Sequence, residues 1–294
     1  MIIIRLMGGM GNQMFQYALG RQLSIKHKVP LKVDLSFLLD RTPKANFTYR
    51  NYDLDVFNTK VSLATKENIA DFNPDNLPQS IFHRIERKLK GCRVVYEKYF
   101  HYDPDVLNSS RNSYLCGYWQ SEKYFSGIRE VIKKEFTLKN TDWQDITEQE
   151  DRILSTNSIC VNFRRADFVN NPEANKFHGV CEMEYYTKAI ELITKKVEHP
   201  MFFIFSDDIK WCKENVKIQF PHYFIEHKYA GTKFEKYLHL MTKCKHFIIS
   251  NSTFAWWGVW LCDSMDKVVI APQKWFNDQT IDTTDMVPST WIRI

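Results

Sequence analysis

The sequence predicts an α/β protein in two halves, each built on a parallel sheet. Three observations carry that expectation. Short apolar runs alternate with amphipathic segments of helix length in both halves of the chain. The run Met201-Phe202-Phe203-Ile204-Phe205 is continuously apolar, as a strand buried on both faces is. A polar stretch with several acids, residues 139–157, separates two strand–helix–strand patterns. The chain of 294 residues therefore reads as two domains, 1–145 and 146–294, near the usual ~150 residues each. Two such domains facing one another would leave a cleft for a ligand.

The elements follow in order. Residues 2–6 read as a buried strand that ends at Gly8-Gly9-Met10-Gly11, and 12–27 as a helix with Phe15, Ala18, Leu19, Leu23 and Ile25 on its apolar face. Residues 31–35 are the next strand. Residues 41–80 are turn-rich and weakly patterned. Residues 81–90 read as a helix whose Arg84–Lys90 portion is expected to be a solvated face. Strands at 94–96 and 114–118 and a helix at 126–136 complete the first half. The second half reads strand 159–163, helix 183–196, strand 201–205, helix 234–244, strand 247–249, helix 253–261 and strand 268–270.

Composition sets limits. With 44% hydrophobic and 26% charged residues the chain is of the globular class. A net charge of +5 favours an anionic ligand or membrane surface, but no basic run interleaved with aromatics argues for nucleic acid. The 7 cysteines form no C-x-x-C pair, so reduced thiols in the cytoplasm are expected rather than a zinc or disulfide framework. The opening Met1-Ile2-Ile3-Ile4-Arg5 is too short for a signal sequence, and no segment is apolar for a membrane crossing. Membrane contact is expected to be peripheral at most, at the inner face.

Four segments could carry chemistry. Arg164 and Arg165 stand at the end of strand 159–163, where open α/β folds bind ligands, and guanidinium forks match phosphate oxygens. The alternative is a strand-edge pair bonded to Asp167 and surface carboxylates. Gly8 to Gln13 lets backbone approach a ligand at a helix start, or is only a tight turn, with Asn12 and Gln13 as caps. Asp207 and Asp208 follow strand 201–205. They could bind a metal with a nucleotide diphosphate, accept from ribose hydroxyls, or cap the next helix, with capping favoured. Ser250-Asn251-Ser252-Thr253 opens a helix as a phosphate cradle or as plain caps, and Trp256-Trp257 is expected to pack between helix and sheet. His178 and Cys181 lack a third orienting group, which argues against a thiol nucleophile.

Together these segments resemble glycosyltransferase family 11, the α-1,2-fucosyltransferases. G-G-M-G-N-Q-M-F-Q-Y-A at the start, N-F-R-R-A-D-F at 162–168, H-G-V-C at 178–181, F-S-D-D at 205–208, L-M-T-K-C-K-H at 240–246, S-N-S-T-F-A-W-W at 250–257 and W-I-R-I at 291–294 follow the family's order. The resemblance implies a GT-B-like fold of two facing Rossmann-like domains, with GDP held by the second and the acceptor by the first. It implies a galactoside α-1,2-fucosyltransferase that moves L-fucose from GDP-β-L-fucose to the 2-hydroxyl of a terminal galactose. The transfer inverts, without metal or other cofactor, onto an oligosaccharide or lipid-linked glycan. Arg164 would bind the β-phosphate, with removal costing ~3–4 kcal/mol of barrier. Asn12 would join it in catalysis. Gly9, Gly11, Asn162, Arg165, Asp207, Glu235, Asn251, Ser252, Thr253 and Phe254 would bind the donor.

Two positions depart from the family. Asn162 replaces its usual histidine, and Tyr237 stands where an acid is expected to contact guanine, with Glu235 two residues earlier as the substitute. Asp34, Asp167 and Glu173, the last in the loop beyond the arginines, are the candidate general bases. A transferase using another nucleotide sugar and a non-catalytic glycan-binding protein are the competing readings.

Overall fold

The computed structural model describes residues 1–294 apart from 45, 76–79, 142, 166–168 and 170. The chain forms two compact units. Met1–Pro43, Tyr49–Lys139 and Asp282–Met286 make the first; Lys44–Thr48, Asn140–Ile281 and Val287–Ile294 make the second. The main passage between them falls at Lys139 and Asn140, ahead of the 145/146 division read from the sequence.

The first unit contains β1 (Ile2–Arg5), α1 (Met10–His27), β2 (Leu31–Asp34), β3 (Ser62–Leu63), α2 (Ile81–Leu89), β4 (Arg93–Tyr96), β5 (Ser113–Cys116) and α3 (Arg129–Glu135). Its strands lie in the order β3-β2-β1-β5-β4, every neighbouring pair parallel. Ile2, Ile3 and Ile4 are wholly buried, as a central parallel strand requires. Helix α1 buries Phe15, Ala18, Leu19 and Leu23. It stops at Lys28, whose φ of 54° is left-handed, and Lys26 and His27 in its last turn face the negative end of the helix dipole.

The second unit contains α4 (Thr147–Leu154), β6 (Asn157–Phe163), α5 (Pro172–His178), α6 (Met183–Thr194), β7 (Pro200–Ser206), α7 (Ile209–Asn215), β8 (His222–Phe224), α8 (Glu235–Lys243), β9 (His246–Ile248), α9 (Thr253–Leu261), β10 (Val269–Ala271) and β11 (Ile292–Arg293). The sheet order is β11-β10-β9-β6-β7-β8, again parallel throughout. Counted within the unit this is 3-2-1-4-5-6, the order of dinucleotide-binding sheets. Ile159, Val161, Ile193, Ile204, Ile248 and Ile270 fill one core cluster. Trp256 and Trp257 are buried, as expected of a packing pair.

The expected α/β class and the central strands of both sheets are present. Strands β3, β8 and β11 were not foreseen. Glu173 was placed in a loop, but the backbone there is the helix α5. Among the described residues no helix is long and apolar enough to cross a membrane.

Candidate active site

The strand order of the second unit locates its site. From β6 the chain proceeds to β7 and β8 on one side and to β9, β10 and β11 on the other. The crevice outside the carboxyl ends of β6 and β9 is therefore the topological switch point, where open α/β sheets take ligands. Arg164 and Arg165 follow β6, and Ser250, Asn251 and Ser252 follow β9 at the start of α9.

Register fixes the first contact. Phe163 pairs with Ser206, so the next residues on the two strands, Arg164 and Asp207, fall side by side. Arg164 Nη1 lies 2.8 Å from Asp207 Oδ2, with the arginine side chain 26% exposed. The N–H is not aligned on that oxygen, so the attraction is Coulombic rather than a directed hydrogen bond. Asp207 Oδ1 accepts from the Arg165 backbone N–H at 2.8 Å. One carboxylate thus holds both arginines; Asp167, the partner in the alternative reading and a candidate base, lies outside the described residues. Cζ of the Arg165 guanidinium lies over the Trp211 ring, 3.5 Å from its centroid. Its Nε is buried without a hydrogen-bond partner. Asp208 caps α7 by accepting from Trp211 N–H at 3.2 Å, so the capping alternative describes it. Among the described residues no three His, Cys, Asp or Glu side chains are grouped to hold a metal.

His178 borders this pair. Burial, with the Arg164 charge second, lowers its pKa to about 4, so the imidazole is neutral at neutral pH. Cys181 is pushed up to about 11 by burial, and its Sγ contacts Asn251 Oδ1 at 3.6 Å. A thiol held protonated is no nucleophile.

The β9–α9 turn is more committed than its composition suggested. Ser250 Oγ donates to Asn162 Oδ1 at 2.7 Å, across the switch point. Asn162 is buried, so it ties β6 to β9. Asn251 Nδ2 donates to the carbonyls of His178 at 2.9 Å and Trp275 at 3.1 Å, clamping two loops. Ser252 caps α9 by accepting from Ala255 N–H. Thr253 and Phe254, both half-buried, occupy the first turn of α9 and sit at its positive dipole end.

Glu235 and Tyr237, the positions expected to bear on base recognition, both have partners within the unit. Tyr237 is buried and its hydroxyl donates to the Ile225 carbonyl at 2.6 Å. Glu235 turns its carboxylate back to the N–H groups of Lys233, at 2.7 Å, and Thr232, at 3.3 Å. A Cβ on Gly231, whose φ is +80°, would come within 2.5 Å of that carboxylate. Phe234, which reasoning from sequence missed, is 41% exposed and held at φ 62°, a costly angle for a bulky residue. His227 bonds the Ser206 carbonyl at 2.9 Å and meets Phe234 edge to face. The unusual aromatic density from 223 to 237 was the available signal.

In the first unit the glycine turn is real. Gly8 has φ +73°, and a Cβ there would strike Asn12 Nδ2 at 2.4 Å. Gly9 is the N-cap of α1, and Gly11 lies buried in its first turn. Asn12 Oδ1 accepts from Gln120 Nε2 at 2.9 Å. Gln13 braces the Gly8 and Asn51 carbonyls and the Asp53 N–H. Asp34 is 1% exposed. It accepts from Ser36 N–H and Oγ and from the Tyr114 hydroxyl, with Arg5 Nε 3.7 Å away. A carboxylate so enclosed braces the sheet and cannot reach a substrate proton, which removes Asp34 from the candidate bases.

The model of the family described as glycosyl transferase family 11 matches residues 1–294. The chain belongs to glycosyltransferase family 11. It is 36% identical over 300 residues to the α-1,2-colitosyltransferase of Escherichia coli, covering 100% of this chain and 98% of that protein. The O-antigen biosynthesis glycosyltransferase WbnK of Escherichia coli is 33% identical over 98% of this chain and 99% of its own length. Galactoside α-(1,2)-fucosyltransferase 1 of Rattus norvegicus is 27% identical over 60% of this chain and 46% of its own. A variant of FUT1 from Arabidopsis thaliana, solved in complex with GDP, superposes with a TM-score of 0.54 at 11% identity, over 91% of this chain and 69% of that one. The two parallel-sheet units of this family 11 glycosyltransferase are accordingly GT-B-like.

Proposed function

We propose that this glycosyltransferase moves L-fucose from GDP-β-L-fucose to the 2-hydroxyl of a terminal galactose on a glycan, with inversion and without a metal. The observation that carries the reading is a cation, Arg164, at the switch point of a 3-2-1-4-5-6 sheet, across from the first turn of α9. In the transfer the acceptor oxygen bonds to the anomeric carbon as the bond from that carbon to the β-phosphate oxygen breaks. Charge builds on the departing diphosphate. Arg164 stabilises it, and the α9 N-terminus adds its dipole at Thr253 and Phe254. Asp207 keeps the guanidinium in place, and the exposed Phe234 offers its ring to the nucleotide base.

A second donor has support of its own. The full-length likeness to an α-1,2-colitosyltransferase favours GDP-L-colitose, whose sugar is L-fucose without its 3-hydroxyl. Transfer assays with each GDP-sugar onto galactose-terminated disaccharides separate the two. Thermal shift with GDP and UDP tests the nucleotide: stabilisation by UDP alone overturns the assignment. EDTA is expected to leave turnover unchanged, and inhibition reversed by Mg²⁺ or Mn²⁺ would refute the metal-free mechanism.

A further inference from the structure

Helix α2 presents an apolar face to solvent. Its charged residues had suggested an ordinary solvated helix, yet Ile81 is 73% exposed, Phe82 84%, Ile85 52% and Leu89 83%. Positions 81, 85 and 89 recur every four residues, and 82 stands three before 85, so all four share one side of the helix. A helix of a globular protein turns such a stripe inward. Turned outward, it marks a surface that another body covers.

The charges select that body. Residues 81–90 hold Arg84, Arg87, Lys88 and Lys90 against one acid, Glu86. Arg87 anchors the helix to its own unit by donating to the Phe72 carbonyl at 3.1 Å. Lys90 pairs with Glu86 at 2.9 Å and Asp71 at 3.2 Å. Arg84 and Lys88 are exposed beside the apolar stripe. A second copy docked on this face by a two-fold axis would set these cations against their own counterparts. A bilayer rich in anionic lipid meets both requirements, with phosphates for the cations and an acyl boundary for the apolar side chains. Nine residues, about 14 Å of helix, are too few to cross a bilayer but enough to lie along its surface.

We propose that α2 docks the protein on an anionic lipid surface, with Ile81, Phe82, Ile85 and Leu89 entering the headgroup–acyl boundary and Arg84 and Lys88 meeting lipid phosphates. This surface would bring the enzyme to acceptors carried on lipid, but it does not depend on which sugar is transferred.

The test is co-sedimentation of the full chain with vesicles of phosphatidylcholine alone or mixed with an equal part of phosphatidylglycerol, across a salt series. The wild type is expected to pellet with the mixed vesicles at low salt and to be released as salt rises. Phe82→Ser with Leu89→Ser should weaken partitioning roughly tenfold or more. Arg84→Gln with Lys88→Gln should weaken it about fivefold per charge. Both variants should keep the melting temperature and the turnover of a soluble acceptor. Failure of the wild type to pellet, equal binding to both vesicle types, or wild-type binding by the Phe82/Leu89 variant overturns the proposal. So does a dimer in size-exclusion chromatography that the same variant abolishes, which would assign the face to a second copy. Since no donor enters the measurement, a negative result here leaves the GDP assignment to its own assay.

Discussion

Arg164→Lys separates charge from geometry at the switch point. Arg164 Nη1 is already 2.8 Å from Asp207 Oδ2. Only a fork can keep that contact and still offer N–H groups to a phosphate. A lysine ammonium, a single point on a flexible stem, serves the carboxylate or the phosphate but not both at full strength. The loss should approach that of Arg164→Ala, about 10²–10³ in kcat, or ~3–4 kcal/mol of transition-state stabilisation. Stability should change little, because the ion pair is partly exposed and worth at most about 1 kcal/mol, or about 2–4 °C for a chain of this size. The assay is steady-state transfer from GDP-fucose, followed by GDP release, with melting curves of the same preparations. Turnover of Arg164→Lys within a factor of two of wild type would refute the divided-fork argument. Near-normal turnover of Arg164→Ala would refute the phosphate role itself.

Three further outcomes are expected. Asp207→Asn keeps an acceptor for the Arg165 N–H but removes the anion beside Arg164; GDP should bind as well or better while kcat falls about tenfold, and weaker GDP binding measured by calorimetry would contradict this. Asp34→Asn breaks a buried network with Tyr114 and Arg5 and should cost about 3 kcal/mol in denaturant unfolding with kcat of the folded fraction intact, whereas lost turnover at unchanged stability would restore Asp34 as a base. His178 has a folded pKa of about 4 against an unfolded value of 6.5, so below pH 6.5 the unfolded chain takes up the proton first. Stability should therefore fall from about pH 6.5 to about pH 4, by roughly 3 kcal/mol in all, and His178→Asn should flatten that slope in pH-dependent melting; an unaltered slope would refute the assignment.

What the sequence revealed follows from burial. Strands β1 and β7 are covered on both faces and therefore appear as apolar runs, and β6 shows the shorter run Ile159-Cys160-Val161. Strand β8 is an edge strand with exposed His222, and β11 has two half-buried residues, so neither leaves a pattern to read. Arg164 and the Ser250–Ser252 turn stood out because charge and hydroxyls at strand ends are conspicuous. Their partners did not. The Arg164–Asp207 contact depends on the register of β6 against β7, and Asn251 clamps loops that are distant in sequence. Tyr237 stood at a family position for base contact, but its helix face turns inward, which no local spacing announced.

The first unit includes Asp282–Met286, and within it Asp285 accepts from the Tyr102 N–H and pairs with Lys123. A ribosome delivers that segment only after nearly all of the second unit has emerged. The first sheet, whose strands all lie between Ile2 and Cys116, can pair before then, but the unit lacks its last segment until its neighbour has been synthesised, so the two units cannot be completed in simple succession. Dividing the gene at the Lys139–Asn140 passage would strand this five-residue piece on the wrong fragment, and an independent first unit would need it restored by grafting.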